Sequence, residues 1–267
     1  MFTDYYGLSF NPFDKQCIKE HDAFRSQDHR QMQPRLNYLK TVRETGVFTA
    51  QPGMGKTYAL RCFMNGLNPN QYQTAYINLS TISVTEFYRQ FCDLPGENRA
   101  GTKPGCSKRY RRMYYLYKEK KQPLILAINE AQYLNYNILR DLKMPMNYRY
   151  DSLNCFSLIL AGEPYLNHIL EKQVHEALRQ RITVHYNYEG LTDQEVPDYI
   201  QHKLELAGGS RSILEGDAVS AIHGYSAGNA CKIDNLMTDA LTIGGQQDKH
   251  TIDAEIILAA VNNQSLT

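Results

Sequence analysis

The sequence predicts an α/β fold in which a parallel sheet, covered by helices on both faces, is followed by a smaller region made only of helices. Short apolar runs alternate with segments of helical character, which is typical of a parallel sheet. A glycine-rich loop of the phosphate-binding type follows the first run. After Gly190 the apolar runs cease and helical periodicity takes over, which predicts a second, helical region.

The predicted strands are the apolar runs at residues 47–50, 74–79, 124–128, 156–161 and 182–188. A helix is predicted at residues 28–45, with one apolar face that carries Met32, Leu36, Leu39 and Val42. Further helices are predicted at residues 192–207, 214–223, 230–243 and 252–263. Thr192 and Glu195 have the spacing of a capping box. We therefore expect an α/β domain at residues 1–190, with an aromatic N-terminal extension, and a helical domain at residues 191–267.

Composition and cysteine spacing exclude several classes of function. A formal net charge of +1 gives no overall attraction to nucleic acid, so such a contact needs a local basic patch. The six cysteines form neither a CxxC pair nor a zinc-type cluster with histidine. The N-terminus lacks a signal-peptide pattern, and no apolar run approaches the ~18 to 20 residues of a membrane span. We expect a cytoplasmic protein with free thiols and no membrane partner.

Residues 50–57 read AQPGMGKT and fit a phosphate-binding loop between a strand and a helix. In such a loop backbone N–H groups surround the phosphates of ATP, the lysine reaches the β- and γ-phosphates, and the following hydroxyl binds Mg²⁺. Lys56 and Thr57 take these two roles. The expected contacts with ATP are Gly53, Met54, Gly55, Lys56, Thr57 and Tyr58. The alternative, an ordinary glycine turn, is disfavoured by the strand-like and helical patterns on either side.

Asn129 and Glu130 follow the apolar run at residues 124–128, where a buried strand would end. Ligands bind at this end of the strands in parallel α/β sheets. A P-loop ATPase needs one carboxylate here for Mg²⁺ and another to activate water. Glu130 fits the second role, while Asn129 occupies the first position and offers a carbonyl oxygen without the charge. The alternative is that both residues only cap the next helix.

Several sequence blocks resemble those of the ExeA-like AAA+ ATPases, and within them the ATP-binding helpers of bacterial transposases related to TnsC, TniB and MuB. The blocks run nearly end to end and include YYGLSFNPF, AQPGMGKT, YINLST, LAINEAQYL, LILAGEPYL, ALRQRI and GNACKIDNLMTDAL. The resemblance implies a P-loop AAA+ fold with a C-terminal helical lid. It also implies a homo-oligomer, ring or filament, with ATP and Mg²⁺ at the subunit boundaries.

The resemblance also assigns roles to single residues. The arginine that a neighbouring subunit directs at the γ-phosphate falls in ALRQRI, so Arg181 is the first candidate and Arg179 the second. A surface arginine at a helix end is the alternative. The polar sensor after the fourth strand falls near Glu163, and Cys231 stands where the lid carries its sensor arginine.

Three residues thus depart from the family pattern, and all of them bear on the nucleotide: Ala50, Asn129 and Cys231. Glycine is usual at the position of Ala50, where alanine costs roughly 1 kcal/mol or more if the backbone needs positive φ. The missing charge at Asn129 should weaken Mg²⁺ binding. We therefore expect ATP to bind through Lys56, Thr57 and the backbone, and to be hydrolysed slowly.

Basic and aromatic residues interleave between residues 108 and 121, over about four turns of a predicted helix. Such a mixture suits contact with nucleic-acid phosphates supported by stacking. The candidates for binding duplex DNA are Lys108, Arg109, Arg111 and Arg112. The alternative is a solvated helix face whose tyrosines pack on the sheet.

The first expected function is an ATP-dependent protein that oligomerises on duplex DNA and assists a transposase in target selection or activation. The second is a secretion or envelope-assembly ATPase of the ExeA type, ranked lower because the chain has no membrane segment and ends soon after the lid helices. The third is a nucleotide-binding scaffold with little catalysis, for which Asn129 and Cys231 are the motive.

Overall fold

The computed structural model describes residues 2–14, 22–78, 86, 121–142, 156–210 and 213–264. The chain divides into two compact units. The helical unit comprises Met1–Arg30, Gly53–Gly55 and Glu189–Thr267, and the sheet unit comprises Gln31–Pro52 and Lys56–Tyr188. The division into domains at residue 190 stays a prediction.

The described part of the sheet unit contains one parallel sheet, with strands β1 (Thr45–Thr49), β2 (Gln73–Asn78), β3 (Leu124–Asn129), β4 (Phe156–Gly162) and β5 (Ile182–Asn187). Their order across the sheet is β2-β3-β4-β1-β5, and all neighbouring strands are parallel. Each predicted apolar run overlaps one of these strands. The predicted parallel sheet is therefore confirmed.

Burial differs between the central and the edge strands. Every residue of β3 and β4 is buried, because each of these strands has a neighbour on both sides. Leu126, Ile128 and Leu158 are 0% exposed, and each such burial stabilises the fold by about 1.5–3 kcal/mol. The edge strands β2 and β5 instead include exposed residues. The core of the sheet unit therefore lies around β3 and β4.

The described helices are α1 (Phe2–Tyr5), α2 (Gln27–Val42), α3 (Lys56–Asn65), α4 (Tyr136–Leu142), α5 (Tyr165–Glu171), α6 (Glu176–Arg179), α7 (Glu195–Leu206), α8 (Gly216–Ser226), α9 (Ala230–Gln246) and α10 (Ala254–Gln264). Two short 3₁₀ helices span Ala131–Tyr133 and Gln173–His175. On α2 the predicted apolar face is buried at Met32, Leu36 and Leu39. The helix ends at residue 42 rather than 45, because Arg43 has a left-handed backbone with φ 59°.

The helical unit has its own apolar core, to which α7, α8, α9 and α10 contribute. Leu8 and Phe13 from the N-terminal segment are buried in the same core. The capping box forms at α7: the Thr192 N–H donates to a Glu195 carboxylate oxygen at 3.2 Å, and the Glu195 N–H donates to the Thr192 hydroxyl at 3.3 Å. Such a box satisfies backbone donors that the first helical turn leaves free.

A buried ion pair joins α7 to α9 inside the helical unit. Lys203 Nζ lies 2.6 Å from Asp234 Oδ1, and both side chains are 7% exposed. The Tyr199 hydroxyl donates to the same oxygen at 2.8 Å. Burial and then the Asp234 carboxylate raise the pKa of Tyr199 well above its ordinary value. The pair and the Tyr199 hydroxyl thus join α7 to α9 within the core of the helical unit.

Across the described residues, no helix is long and apolar enough to cross a membrane.

Candidate nucleotide-binding site

The site lies at the edge of the sheet where β1, β3 and β4 end. Thr49 pairs with Gly162 at the ends of β1 and β4, and Asn78 pairs with Asn129 at the ends of β2 and β3. Residues 50–55 then connect β1 to α3, whose first residue is Lys56. Because the strands are parallel, residues that follow them meet at one edge. The phosphate-loop lysine and the acidic element after β3 are thereby brought together.

The loop has the backbone that its glycines predict. Gly53 and Gly55 have φ of 88° and 86°, in the left-handed region where a side chain is strained. Ala50 is not among the described non-glycine residues with positive φ. Its N–H donates to the Gly162 carbonyl at 3.1 Å. The conditional penalty for alanine at this position therefore does not apply.

Lys56 is a buried cation whose described ion pair, with Glu130, is long. The residue is 6% exposed, and its Nζ lies 3.7 Å from Glu130 Oε1. Burial lowers the pKa of Lys56, and the carboxylates of Glu130 and Glu163 oppose that shift in part. An ammonium in this state would gain most from an added anion. A triphosphate bound by the loop would supply that anion.

Thr57 and Asn129 supply the oxygen atoms expected at a Mg²⁺ ion. The Thr57 hydroxyl lies 3.5 Å from Asn129 Oδ1, and Asn129 is 4% exposed. The amide nitrogen of Asn129 donates to Asn78 Oδ1 at 3.2 Å, which directs Oδ1 toward Thr57. Hydroxyl and carbonyl oxygens suit Mg²⁺, which usually binds with few protein ligands together with substrate phosphates. The residues present therefore fit the ion, which would be held largely by ATP.

Glu130 occupies a strained backbone position. Its φ of 57° and ψ of 40° lie in the left-handed region, which is uncommon for a residue other than glycine. It precedes the 3₁₀ helix Ala131–Tyr133 but makes no side-chain capping hydrogen bond. Its carboxylate contacts Lys56 and Gln132 instead. The Glu130 side chain therefore does not cap this helix, and its role at the nucleotide stays a prediction.

Gln132 is a site residue that sequence reasoning missed. Its Nε2 donates to Glu130 Oε2 at 2.7 Å, and its Oε1 accepts from the Glu163 N–H at 3.1 Å. Glu163 itself follows β4 and is half-buried. The only signal in the sequence is a polar side chain two residues after Glu130, which periodicity alone does not distinguish from a surface residue.

A second polar network, also missed, lies where β1 and β5 end. The Asn167 amide nitrogen donates to Asn187 Oδ1 at 3.0 Å and to the Thr49 hydroxyl at 3.3 Å. The Thr49 hydroxyl also donates to Asn187 Oδ1, and His185 contacts Asn167 Oδ1. Thr49 is the last residue of β1. The network therefore fixes the strand end from which the phosphate loop departs.

Arg179 and Arg181 lie near the N-terminal ends of the parallel strands, whereas the phosphate loop follows the C-terminal end of β1. Arg181 directly precedes Ile182, which pairs with Thr45 at the start of β1, whereas the loop follows Thr49 at its end. Five residues of strand place these ends roughly 16 Å apart. Arg179 is exposed and donates to the Glu171 carbonyl at 2.7 Å. Neither arginine therefore lies near Lys56 of its own chain. This position is compatible with the predicted role, in which the arginine enters the site of a neighbouring subunit.

The remaining predicted residues lie as follows. Met54 and Tyr58 are half-buried, and the Arg61 guanidinium lies 5.3 Å from the ring centre of Tyr58. Cys231, near the start of α9, donates its backbone N–H to the Gly53 carbonyl at 3.1 Å within the helical unit. The DNA-binding candidates Lys108, Arg109, Arg111 and Arg112 lie outside the described residues.

Comparison with known proteins agrees with this geometry. The family model for AAA domains matches residues 40–170. General secretion pathway protein A of Aeromonas hydrophila is 28% identical over 267 residues, which cover 97% of this chain and 48% of that protein. The chain thus spans about half the length of that curated relative.

Solved structures share the fold at low sequence identity. Cdc6p from Pyrobaculum aerophilum superposes with a TM-score of 0.67 at 14% identity, over 96% of this chain and 71% of that one. The ORC2 protein of Aeropyrum pernix in its ADPNP–ADP complexes gives 0.68 at 11% identity, over 96% and 72%. The ORC1 protein of the same organism in complex with DNA gives 0.59 at 17%, over 91% and 66%. Residues 40–170 thus match an AAA domain, and the chain has the P-loop AAA+ fold.

Proposed function

We propose that this chain binds ATP with Mg²⁺ at residues 50–57 and hydrolyses it slowly, as the ATPase module of a secretion or envelope-assembly system of the ExeA type. The observation that carries the proposal is the buried Lys56, 3.7 Å from Glu130, at the strand edge that also holds Thr57 and Asn129. A cation, a carboxylate and two oxygen ligands converge there as phosphoryl transfer requires.

In the proposed mechanism, Lys56 exchanges its long contact with Glu130 for the β- and γ-phosphates. The backbone amides of the loop hold the phosphates in place. Mg²⁺, when bound, neutralises charge on the same phosphates. Glu130 then orients the attacking water and accepts its proton. An arginine from a neighbouring subunit, Arg181 or Arg179, stabilises charge on the γ-phosphate, because neither arginine reaches the loop of its own chain.

Two variants separate binding from hydrolysis. Lys56→Met should weaken ATP binding by about 100-fold or more in calorimetry, since the buried cation is lost. Glu130→Gln should keep ATP binding within about twofold and lower phosphate release by about 100-fold or more, as loss of a general base does. Failure of the unmodified chain to bind ATP at millimolar concentration would overturn the proposal.

Asn129 is the proposed reason for slow hydrolysis. Asn129→Asp restores a charged Mg²⁺ ligand beside the Thr57 hydroxyl, 3.5 Å away. Phosphate release should rise about tenfold, with tighter Mg²⁺ dependence, if a gain near 1.4 kcal/mol is realised at the transition state. An unchanged rate across a Mg²⁺ titration would mean that Asn129 does not limit turnover.

The secretion role is preferred to the transposition role because of the relative from Aeromonas hydrophila. That relative is about twice as long, so the activity and partners of the whole protein are part of the proposal. DNA binding is the second candidate, since two structural neighbours, one from Aeropyrum pernix and one from Drosophila, are described with DNA. The transposase partner stays a prediction.

Oligomer size and DNA binding, measured together, distinguish the two roles. The chain would be studied without nucleotide, with ADP and with a non-hydrolysable ATP analogue, each with and without duplex DNA. The secretion role predicts nucleotide-dependent assembly that is indifferent to DNA. Assembly that requires duplex DNA would favour the second candidate, and charge reversal of Arg109, Arg111 and Arg112 would then weaken it.

A further inference from the structure

We propose that Gln132 is a positioning residue that holds the Glu130 carboxylate in its working orientation and ties it to the end of β4. This inference rests on the proposed ATP hydrolysis. Gln132 is 8% exposed, and both ends of its amide are used. The Nε2 group donates to Glu130 Oε2 at 2.7 Å, and Oε1 accepts from the Glu163 N–H at 3.1 Å. One buried side chain thus links two strand ends at the site.

The two partners also fix which way the amide faces. A backbone N–H can only donate, so the atom opposite Glu163 must be the oxygen of Gln132. The nitrogen then faces Glu130, whose ionised carboxylate can only accept. A hydrogen bond to a charged group is among the stronger ones in proteins. The Gln132 amide therefore has a single hydrogen-bonding arrangement, and its nitrogen orients the Glu130 carboxylate.

The backbone at Gly162 packs closely against the side-chain amide of Gln132. A Cβ placed on Gly162 would lie 2.6 Å from Gln132 Oε1 and 3.1 Å from the Leu166 side chain. Glycine at the end of β4 therefore makes the close approach possible. On the other side, Glu130 is held in the left-handed region with φ 57°, a conformation that persists only when neighbouring contacts impose it.

The two oxygens of Glu130 have different partners. Oε1 faces Lys56 at 3.7 Å, whereas Oε2 receives the 2.7 Å bond from Gln132. Oε1 also lies 3.5 Å from the Asn129 amide nitrogen, a long hydrogen bond. When a triphosphate draws Lys56 away, Oε1 keeps only that long contact and can accept a proton from water. Among the described hydrogen bonds, those of the Gln132 side chain go to Glu130 and Glu163 and none to the phosphate loop, so it keeps Oε2 in place. Its contribution should then appear in turnover and not in ATP affinity.

The experiment compares Gln132→Met and Gln132→Glu in the full chain. Gln132→Met keeps most of the volume but not the donor, and should lower kcat about 10- to 100-fold, as loss of a hydrogen bond to a charged group does, with the Kd for ATP within about twofold. A kcat within about twofold of the unmodified chain would overturn the proposal. The control is Gln201→Met, because Gln201 Nε2 donates to Glu205 Oε1 at 2.6 Å on the exposed surface of α7.

Gln132→Glu provides a signature that a merely structural role would not give. Two adjacent carboxylates share one proton at lower pH, and the protonated one donates as the amide does. At higher pH both ionise and repel, so kcat should fall along an alkaline limb absent from the unmodified chain. The control Gln201→Glu should show no such limb. A profile parallel to that of the unmodified chain would contradict the proposal.

A measurement without nucleotide separates this proposal from the proposed function. Urea unfolding of Gln132→Met, Glu130→Met and the double variant forms a double-mutant cycle, because methionine at either position removes the bond. The side-chain bond predicts coupling of at least about threefold in the unfolding equilibrium constant, and strictly additive effects would overturn it. A chain without ATPase activity, by contrast, would end the proposed function, while the cycle would still decide whether Gln132 holds Glu130.

Discussion

Among the described residues, each of the two units buries one lysine, and the two lysines are in opposite electrostatic situations. Lys56 and Lys203 are both 6% exposed. Lys203 lies 2.6 Å from Asp234, whose side chain is 7% exposed, while Lys56 lies 3.7 Å from Glu130, whose side chain is 29% exposed. Equal burial of the cation thus accompanies a tight ion pair in one unit and a loose one in the other.

The difference shows that burial alone does not assign a charged residue to structure or to function. A buried charge is tolerated when close partners replace the lost water, as Asp234 does for Lys203. Glu130 is farther from Lys56 and replaces the lost water less completely, so burial lowers the pKa of Lys56. A bound anionic ligand would stabilise the charged form of such a lysine.

The largest expected effect comes from breaking the tight pair. Asp234→Ala removes the carboxylate that pairs with Lys203 and leaves a buried ammonium without it. The free energy of unfolding should fall by about 3–5 kcal/mol, measured by urea titration. The double variant Asp234→Leu, Lys203→Met serves as control and should recover most of that loss, because it removes both charges. A loss below about 1 kcal/mol for Asp234→Ala would show that the pair is not structural.

Breaking the loose pair should affect binding instead of stability. Lys56→Met should weaken ATP binding by about 100-fold or more, since a charge-assisted contact with the phosphates is lost. The free energy of unfolding should stay the same or rise, because a poorly paired charge leaves the interior. Calorimetry and urea titration on one preparation test both statements. Marked destabilisation by Lys56→Met would place the two lysines in the same class.

Alkaline pH should sharpen the comparison, because the two sites respond with opposite sign. The folded pKa of Lys56 is lowered from 10.5, so its stabilising contribution is present above 10.5 and is lost as the pH falls through the folded value. The folded pKa of Tyr199 is raised well above 10.0, so its contribution is complete below 10.0 and declines as the pH rises further.

Unfolding titrations at several pH values test these two signs. Lys56→Met should remove a gain in stability that the unmodified chain shows below pH 10.5 as the pH rises. Tyr199→Phe should remove a loss that begins near pH 10.0. The two variants should therefore change the alkaline limb of the stability profile in opposite directions. Parallel changes in both variants would contradict the assignment.

The smallest effect is expected where an equally short pair is exposed. Lys249 Nζ lies 2.6 Å from Asp253 Oδ2, the same distance as in the buried pair, but the side chains are 38% and 26% exposed. Water screens such pairs, so Lys249→Met should leave the urea midpoint unchanged within error. A shift as large as that of Asp234→Ala would mean that distance, and not burial, decides.

The sheet and the phosphate loop could be predicted from the sequence because both have strong local signals. The apolar runs predicted the five described strands, and AQPGMGKT predicted the strand-to-helix loop. The order β2-β3-β4-β1-β5 could not be derived from those runs, because it depends on pairing between distant segments. The overall fold is supported by similarity to solved AAA+ structures and not by the local sequence pattern.

At the site, residues within a motif were predictable and residues that join motifs were not. Lys56 and Glu130 stand in recognisable blocks, although their roles stay predictions. Gln132 and Asn167 act through hydrogen bonds that reach from one segment to another, such as Gln132 to the Glu163 N–H. No periodicity marks such a residue. The buried Lys203–Asp234 pair is likewise invisible in a sequence where both residues lie on ordinary amphipathic helices.

Arg181 and the phosphate loop lie at opposite ends of the parallel strands. An assembly in which Arg181 completes a neighbour's site is therefore head-to-tail. On the proposed role of Arg181, each molecule completes the site of one neighbour and depends on another to complete its own. A closed ring of n copies then has n complete sites, whereas an open chain of n copies has n − 1, because one terminal copy lacks a donor. Copies defective in Glu130 and copies defective in Arg181 should consequently restore turnover to each other when mixed, although each is inert when alone.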